Sequence, residues 1–103
     1  MRVVALVPDL MDRSRLAAAL PEAELVSDVG AIVEADAPVD VVVVDLARHA
    51  DEVAAIRAAA PGARVVAFGP HVDDELLARA SADGADVVMA RSRFFRNPAD
   101  ALR

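Results

Sequence analysis

The sequence predicts an α/β domain in which a five-stranded parallel sheet carries helices on both faces. Short segments rich in β-branched residues alternate along the chain with segments of helical periodicity. Three of the short segments are nearly continuous apolar runs, as expected of strands that are buried on both faces of a parallel sheet. The composition is 56% hydrophobic but only 3% aromatic, so Val, Leu, Ile and Ala must build the core.

Five segments are predicted to be strands, namely residues 3–7, 23–27, 39–45, 63–68 and 85–90. A helical pattern follows each strand, and strict alternation with right-handed crossovers produces an open parallel sheet. In a chain of 103 residues we expect these strands to take the order 2-1-3-4-5. The length suits one domain, which we expect to span residues 1–103.

Three helical segments cover residues 11–20, 29–38 and 50–62, and a proline stands at or near the end of each. The fourth helix lies within residues 72–84, where Asp73 can cap its start and Gly84 can end it in a left-handed conformation.

A short last helix is predicted from Pro98, with Asn97 as its cap. About six residues remain for it, from Pro98 to the end of the chain, so it looks too short to cover its side of the sheet alone.

The charge balance and the absence of cysteine limit the classes of function. There are 17 acidic residues against 11 Lys and Arg, a formal net charge of -6, so the chain as a whole repels nucleic acid and anionic lipid. Without cysteine there are no disulfides, zinc-thiolate sites or thiol catalysis. The first apolar run is broken by Pro8 and Asp9, unlike a signal peptide. We expect a cytoplasmic protein without nucleic-acid or membrane partners.

The residues just past each strand are the candidate site residues, because a doubly wound sheet binds ligands outside the carboxyl ends of its strands. The segments "PDLMD", "DLARHA", "GPHVDD" and "RSRFFR" follow strands 1, 3, 4 and 5. We therefore expect Asp9, Asp45, Gly69, His71 and Arg91 to converge at one edge of the sheet.

From residue 3 to about residue 94 the chain resembles the response-regulator receiver domain, the CheY-like phosphoacceptor module of two-component signalling. The most recognisable piece is "ARASADGADVVMARS", which is similar to the passage into the receiver's fifth strand and its Lys-Pro pair. The resemblance implies a flavodoxin-like fold, in which Asp45 is the phosphoacceptor candidate. It also implies that Asp9 and Asp45 help to hold Mg²⁺, as a weak candidate metal site.

Several residues depart from the receiver pattern. Pro8 stands where a first carboxylate would precede Asp9, Gly69 replaces the Thr or Ser of the switch position, and Arg91 replaces the lysine. The planar fork of Arg91 is expected to pair with Asp45 and Asp9, in the place where metal and phosphoryl group would sit. These departures favour a pseudo-receiver, which is not an enzyme and acts by protein-protein interaction without conventional phosphorylation.

Two alternatives stay open. The first is an active phosphoacceptor response regulator that uses Asp45 with Mg²⁺. The second is a small-ligand-binding or enzymatic flavodoxin-like domain that uses a crevice formed by Asp9, Asp45 and the auxiliary His71. A dinucleotide is not expected, because no glycine-rich loop follows strand 1. Both aspartates could also serve only as helix caps.

The segment "RSRFFRNP" concentrates basic and aromatic residues near the end of the chain. We expect Phe94 to be buried and Phe95 to be partly exposed, because a core with few large side chains needs a phenylalanine there. The resemblance implies that the fourth helix, the fifth strand and the last helix form a partner surface. This surface, with Arg93, Phe95 and Arg96, would contact a protein partner or a second copy in a homodimer.

Overall fold

The five strands form one parallel sheet in the order β2-β1-β3-β4-β5, as predicted. The structure is a computed structural model and describes residues 1–33, 38–70 and 73–103. The register pairs Asp45 with Phe68 and Gly69 with Ala90, so strands β3, β4 and β5 end side by side. The strands are β1 Val3–Leu6, β2 Glu24–Leu25, β3 Val41–Asp45, β4 Arg64–Gly69 and β5 Val87–Ala90.

Helices connect the strands, and a short 3-10 helix, Ala50–Glu52, joins the consecutive α-helices Leu46–His49 and Val53–Ala59. Within the described part of the chain, no helix is both long and apolar enough to span a bilayer. The helices are α1 Leu10–Ala19, α2 Gly30–Val33, α3 Leu46–His49, α4 Val53–Ala59, α5 Asp74–Ala82, α6 Arg91–Arg96 and α7 Pro98–Ala101.

Each face of the sheet has its own core. Strand β3 shows the period of two that separates them, because Val41 and Val43 face one side while Val42 and Val44 face the other. Helices α1, α6 and α7 cover the first side with a set of buried residues that includes Leu16, Phe94 and Leu102. Helices α2 to α5 cover the second side with Ile32, Leu46, Val53, Ile56 and Ala80. Helices therefore cover both faces, as predicted, although residues 34–37 of the predicted helix 29–38 lie outside the described residues.

Local capping sets several helix boundaries where the sequence predicted them. The Asp73 side chain accepts a hydrogen bond from the Leu76 N–H, and Asn97 caps α7, where Pro98 occupies the first turn. Gly84, just past α5, has a φ of 119°, in the region where a side chain is disfavoured.

The end of the chain differs from the prediction of one short last helix. Helix α6 begins at Arg91, directly after β5, and α7 follows it from Pro98. Phe94 of α6 and Leu102 beyond α7 are both buried against the sheet. The last helix therefore does not cover its side alone. Helix α6, which local propensity did not indicate, adds the buried Phe94 to the same side.

Candidate functional site

Four of the five predicted residues line one open cavity at the carboxyl edge of the sheet. Its volume is about 290 Å³. The fifth predicted residue, His71, lies outside the described residues. The cavity is lined by Pro8, Asp9, Asp12, Asp45, Ala47, Arg48, Gly69, Pro70 and Arg91.

Asp45 ends β3 and also caps the helix that follows. Its side chain is buried, at 5% exposure, and its Oδ1 accepts a hydrogen bond from the Ala47 N–H at 2.9 Å. Burial raises the pKa of Asp45, and this effect is opposed in part by the hydrogen bond from Ala47. The negative charge of Asp12 raises the same pKa, whereas Arg91 and His49 lower it.

Asp9 is the N-cap of α1. Its Oδ1 accepts a hydrogen bond from the Asp12 N–H at 3.0 Å, and the residue is exposed at the rim of the cavity. The capping role that the sequence left open for both aspartates is thus observed for Asp9 as well as for Asp45.

The sequence prediction for Arg91 was wrong about its partner, which is Asp12 rather than Asp45 and Asp9. The Nε of Arg91 donates to Oδ2 of Asp12 at 3.2 Å, and its Nη2 donates to Oδ1. Asp12 is 2% exposed, and the Phe95 ring lies on the guanidinium at 5.1 Å from its centroid. The pair therefore joins α1 to α6.

Asp12, the last residue of the segment "PDLMD" and part of the first turn of α1, was not predicted to belong to the site. It stands four residues before Leu16, so the two share a helix face, and both are buried. This spacing was the one signal in the sequence that could have pointed Asp12 inward. Arg48 of α3, which also lines the cavity, was not predicted either.

Gly69 leaves little room for the hydroxyl side chain of a receiver switch residue. A Cβ at this position would lie 3.2 Å from the Leu46 Cβ and 3.4 Å from Cδ2 of Leu77. Two leucines thus pack where that side chain would begin.

The residues of the cavity do not fit the divalent metal site that the resemblance implies. Among the described residues, no group of three or more His, Asp or Glu side chains is placed to hold a metal ion. Both carboxylate oxygens of Asp12 accept from Arg91, while Asp9 and Asp45 each give one oxygen to a helix N–H. Asp9 and Asp45 each keep a second oxygen, but the positive charge of Arg91 beside them opposes a divalent cation.

The three residues named for the predicted partner surface, Arg93, Phe95 and Arg96, all lie on α6. Arg93 and Arg96 are exposed and Phe95 is half-buried, while Phe94 is fully buried, as expected for the two phenylalanines. The rings of Phe68 and Phe94 stack at 4.8 Å, and Phe95 meets Phe68 edge-on at 5.2 Å. Phe95 is therefore mainly part of an aromatic cluster.

Comparison with known proteins finds similarity in structure only. No protein-family model matches the sequence, and no curated protein matches it. A response regulator from Burkholderia pseudomallei, solved with a phosphorylated aspartic acid, a calcium ion and citrate, superposes with a TM-score of 0.82 at 16% identity. The match covers 99% of this chain and 66% of that one.

Two further solved structures match over nearly their whole length. A receiver domain protein from Clostridium thermocellum has a TM-score of 0.81 at 16% identity, covering 98% of this chain and 90% of that one. The orphan response regulator HP1043 of H. pylori has a TM-score of 0.75 at 18% identity, covering 100% and 97%. The chain therefore has the fold of the response-regulator receiver domains, with their parallel sheet in the order 2-1-3-4-5.

Proposed function

We propose that this protein is a receiver-like signalling module that acts through protein-protein contact and is not conventionally phosphorylated. The observation that supports this most is the pairing of Arg91 with Asp12. The cation that replaces the receiver lysine is held by two hydrogen bonds to a buried carboxylate and by the ring of Phe95. It is thus committed to a partner inside the domain.

The chemistry of aspartyl phosphate formation is poorly served by this arrangement. The attacking carboxylate must be ionised, and a divalent cation and a cationic side chain must neutralise charge on the phosphoryl oxygens. Among the described residues no three His, Asp or Glu side chains are grouped to hold a metal ion, and Arg91 already neutralises Asp12.

Gly69 supports the same proposal, because it has no side chain that could respond to a phosphoryl group. A phosphoryl group on Asp45 would find no hydroxyl at this position to hydrogen-bond. The adjacent space is filled by Leu46 and Leu77. A conventional switch would therefore lack the residue that senses its own phosphorylation.

A distinct charge pattern supports contact with a protein partner. Helices α1, α6 and α7 cover one face of the sheet, and residues 10–19 and 91–103 hold six arginines and two aspartates, a net charge of +4. The rest of the chain has five arginines and fifteen acidic residues, a net charge of -10. We call residues 10–19 and 91–103 the cationic layer. It suits an acidic surface on a partner or on a second copy.

A second candidate function keeps Asp45 as a working phosphoacceptor. It is favoured by the position of Asp45 at the end of β3, where its side chain lines the open cavity with Asp9. In the Burkholderia relative by structure, an aspartic acid is phosphorylated.

Intact-mass measurement separates the two candidates. The purified protein is incubated with acetyl phosphate and Mg²⁺, beside a conventional receiver as positive control. We expect no stable phosphoryl adduct on this protein under conditions that label the control. An adduct that disappears in Asp45→Ala would instead establish the phosphoacceptor and overturn the proposal, whereas one that persists in Asp45→Ala would mark modification elsewhere and leave it intact.

A further inference from the structure

We infer that the guanidinium of Arg91 has replaced the divalent cation of this crevice, so that the folded domain needs no metal. The inference deepens the proposed function and rests on its committed Arg91. It starts from the disagreement between the metal site that the fold implies and the side chains that line the cavity.

Three carboxylates, those of Asp9, Asp12 and Asp45, line the same cavity. Two of them are almost fully buried, Asp12 at 2% and Asp45 at 5% exposure. Buried carboxylates close to one another need a positive charge nearby, because water does not compensate them. In a metal-binding crevice that charge comes from solution, but here Arg91 supplies it.

The geometry suits a guanidinium better than a metal ion. Two N–H groups of Arg91 meet the two oxygens of Asp12, which is the bidentate arrangement that a planar fork favours. The Phe95 ring holds the other side of the guanidinium at 5.1 Å. The charge of Arg91 also lowers the pKa of Asp45, so its influence reaches the second buried carboxylate.

This built-in cation has a structural consequence that a metal ion would not have. Arg91 is the first residue of α6 and Asp12 lies in the first turn of α1, so the pair connects two helices that are 79 residues apart in sequence. Metal-independence of the crevice and attachment of α6 to α1 therefore depend on the same side chain.

The test is thermal unfolding of the wild type and Arg91→Met, in EDTA and in millimolar MgCl₂ or CaCl₂ at constant ionic strength. The wild-type Tm should not change on addition of either metal. Arg91→Met leaves Asp12 buried without its cation, so its Tm in EDTA should fall by roughly 5–15 °C. Divalent cations should recover about 5 °C of that loss, by binding only the folded variant.

Two further variants make this response specific. Arg93→Met removes an exposed arginine from the same helix and should neither lower the Tm by more than about 2 °C nor respond to metal. In Arg91→Met/Asp12→Asn the metal response should be smaller than in Arg91→Met, because the buried charge of Asp12 is gone and only that of Asp45 remains. Should Arg91→Met fail to fold, Arg91→Gln takes its place, since its neutral amide removes the charge but can still donate a hydrogen bond to Asp12.

A wild-type Tm that rises with Mg²⁺ or Ca²⁺ beyond the effect of equal monovalent salt would overturn the inference. A folded single variant at Arg91 whose Tm does not rise when divalent cations are added would overturn it as well. No phosphoryl donor enters this experiment, so its result is separate from the one that decides the proposed function. If the protein were phosphorylated on Asp45 while its Tm did not respond to Mg²⁺, the proposed function would be refuted and this inference would stand.

Discussion

Asp45 experiences opposing electrostatic effects from its surroundings. Burial and the charge of Asp12 favour its protonated form, whereas the Ala47 N–H, Arg91 and His49 favour the carboxylate. Burial is the largest of these effects, so the pKa of Asp45 is raised. At neutral pH the buried charge of this side chain therefore opposes folding.

The sign of the pH dependence follows from this raised pKa. Between the unfolded value, about 3.9, and the higher folded value, the folded state binds more protons than the unfolded state. The contribution of Asp45 to the free energy of unfolding therefore decreases as pH rises through that interval. Asp45→Asn should remove this decrease and be more stable than the wild type above it, since Asn can still cap α3.

Urea denaturation between pH 4 and 8 measures both effects. Asp74→Asn, an exposed residue in the first turn of α5, is the matched control and should follow the wild-type pH profile. If Asp45→Asn were less stable than the wild type at every pH, the ionised carboxylate would stabilise the fold, and burial would not be the largest effect on its pKa.

Among the elements, α5 shows how a single backbone conformation ends a helix. The Asp83 N–H bonds to the Arg79 carbonyl, and Gly84 then turns the chain with a φ of 119°. A Cβ on Gly84 would lie 2.9 Å from Cγ of Arg57. That arginine is held in turn by the Asp86 carboxylate, with Nη1 to Oδ2 at 2.9 Å. The end of α5 is thus packed against the arginine of α4.

Gly84→Ala should lower the free energy of unfolding by about 1–3 kcal/mol, from the left-handed backbone and the contact with Arg57. The control is Gly62→Ala, because Gly62 has no atom within 4 Å of its Cβ position and does not have a positive φ. That change should be neutral or stabilise by up to about 1 kcal/mol. Urea denaturation at pH 7 compares the two, and equal effects would contradict the account of the turn.

Helix α6 is the element that the sequence did not predict. It is six residues long and has no side-chain cap at Ala90, so no local signal marks where it begins. Its stability comes from Phe94, which stacks on Phe68, and from the ion pair of Arg91 with Asp12. Both contacts join residues far apart in the chain, so no local pattern reveals them.

At the scale of the whole molecule, the separation of charge between the cationic layer and the rest of the chain is the main feature of the surface. Arg93 and Arg96 are exposed in that layer, and neither forms an ion pair within residues 1–33, 38–70 and 73–103. An extended polyanion would also meet the strongly negative remainder, whereas a compact acidic protein surface would not. The pattern therefore favours an acidic protein surface over nucleic acid.

A short poly-glutamate peptide, followed by fluorescence anisotropy, is a probe for the cationic layer. Binding should weaken as salt is added, and Arg93→Glu/Arg96→Glu should reduce the affinity by about tenfold. Arg48→Glu/Arg79→Glu makes the same change of charge at two exposed arginines outside the layer and should have a much smaller effect. Equal losses in both variants would show a response to net charge alone. Equally tight binding of a DNA oligonucleotide would contradict the preference for protein.

The sequence by itself determined the fold class, the strand order and the edge of the sheet where the site lies. These follow from periodicity and chain direction: valine runs require burial on both faces, and parallel strands bring their carboxyl ends to one edge. The caps at Asp73 and Asn97 and the turn at Gly84 were also readable, because each depends on a few adjacent residues.

Only the tertiary structure decided which carboxylate Arg91 contacts. Asp9, Asp12 and Asp45 all lie within reach of the same edge, and the sequence places no constraint on which of them the arginine meets. The first turn of α1 points Asp12 inward beside Leu16, and α6 brings Arg91 to it. The packing of whole helices decides which partner a long side chain contacts. That packing is a property of the folded chain rather than of any one segment.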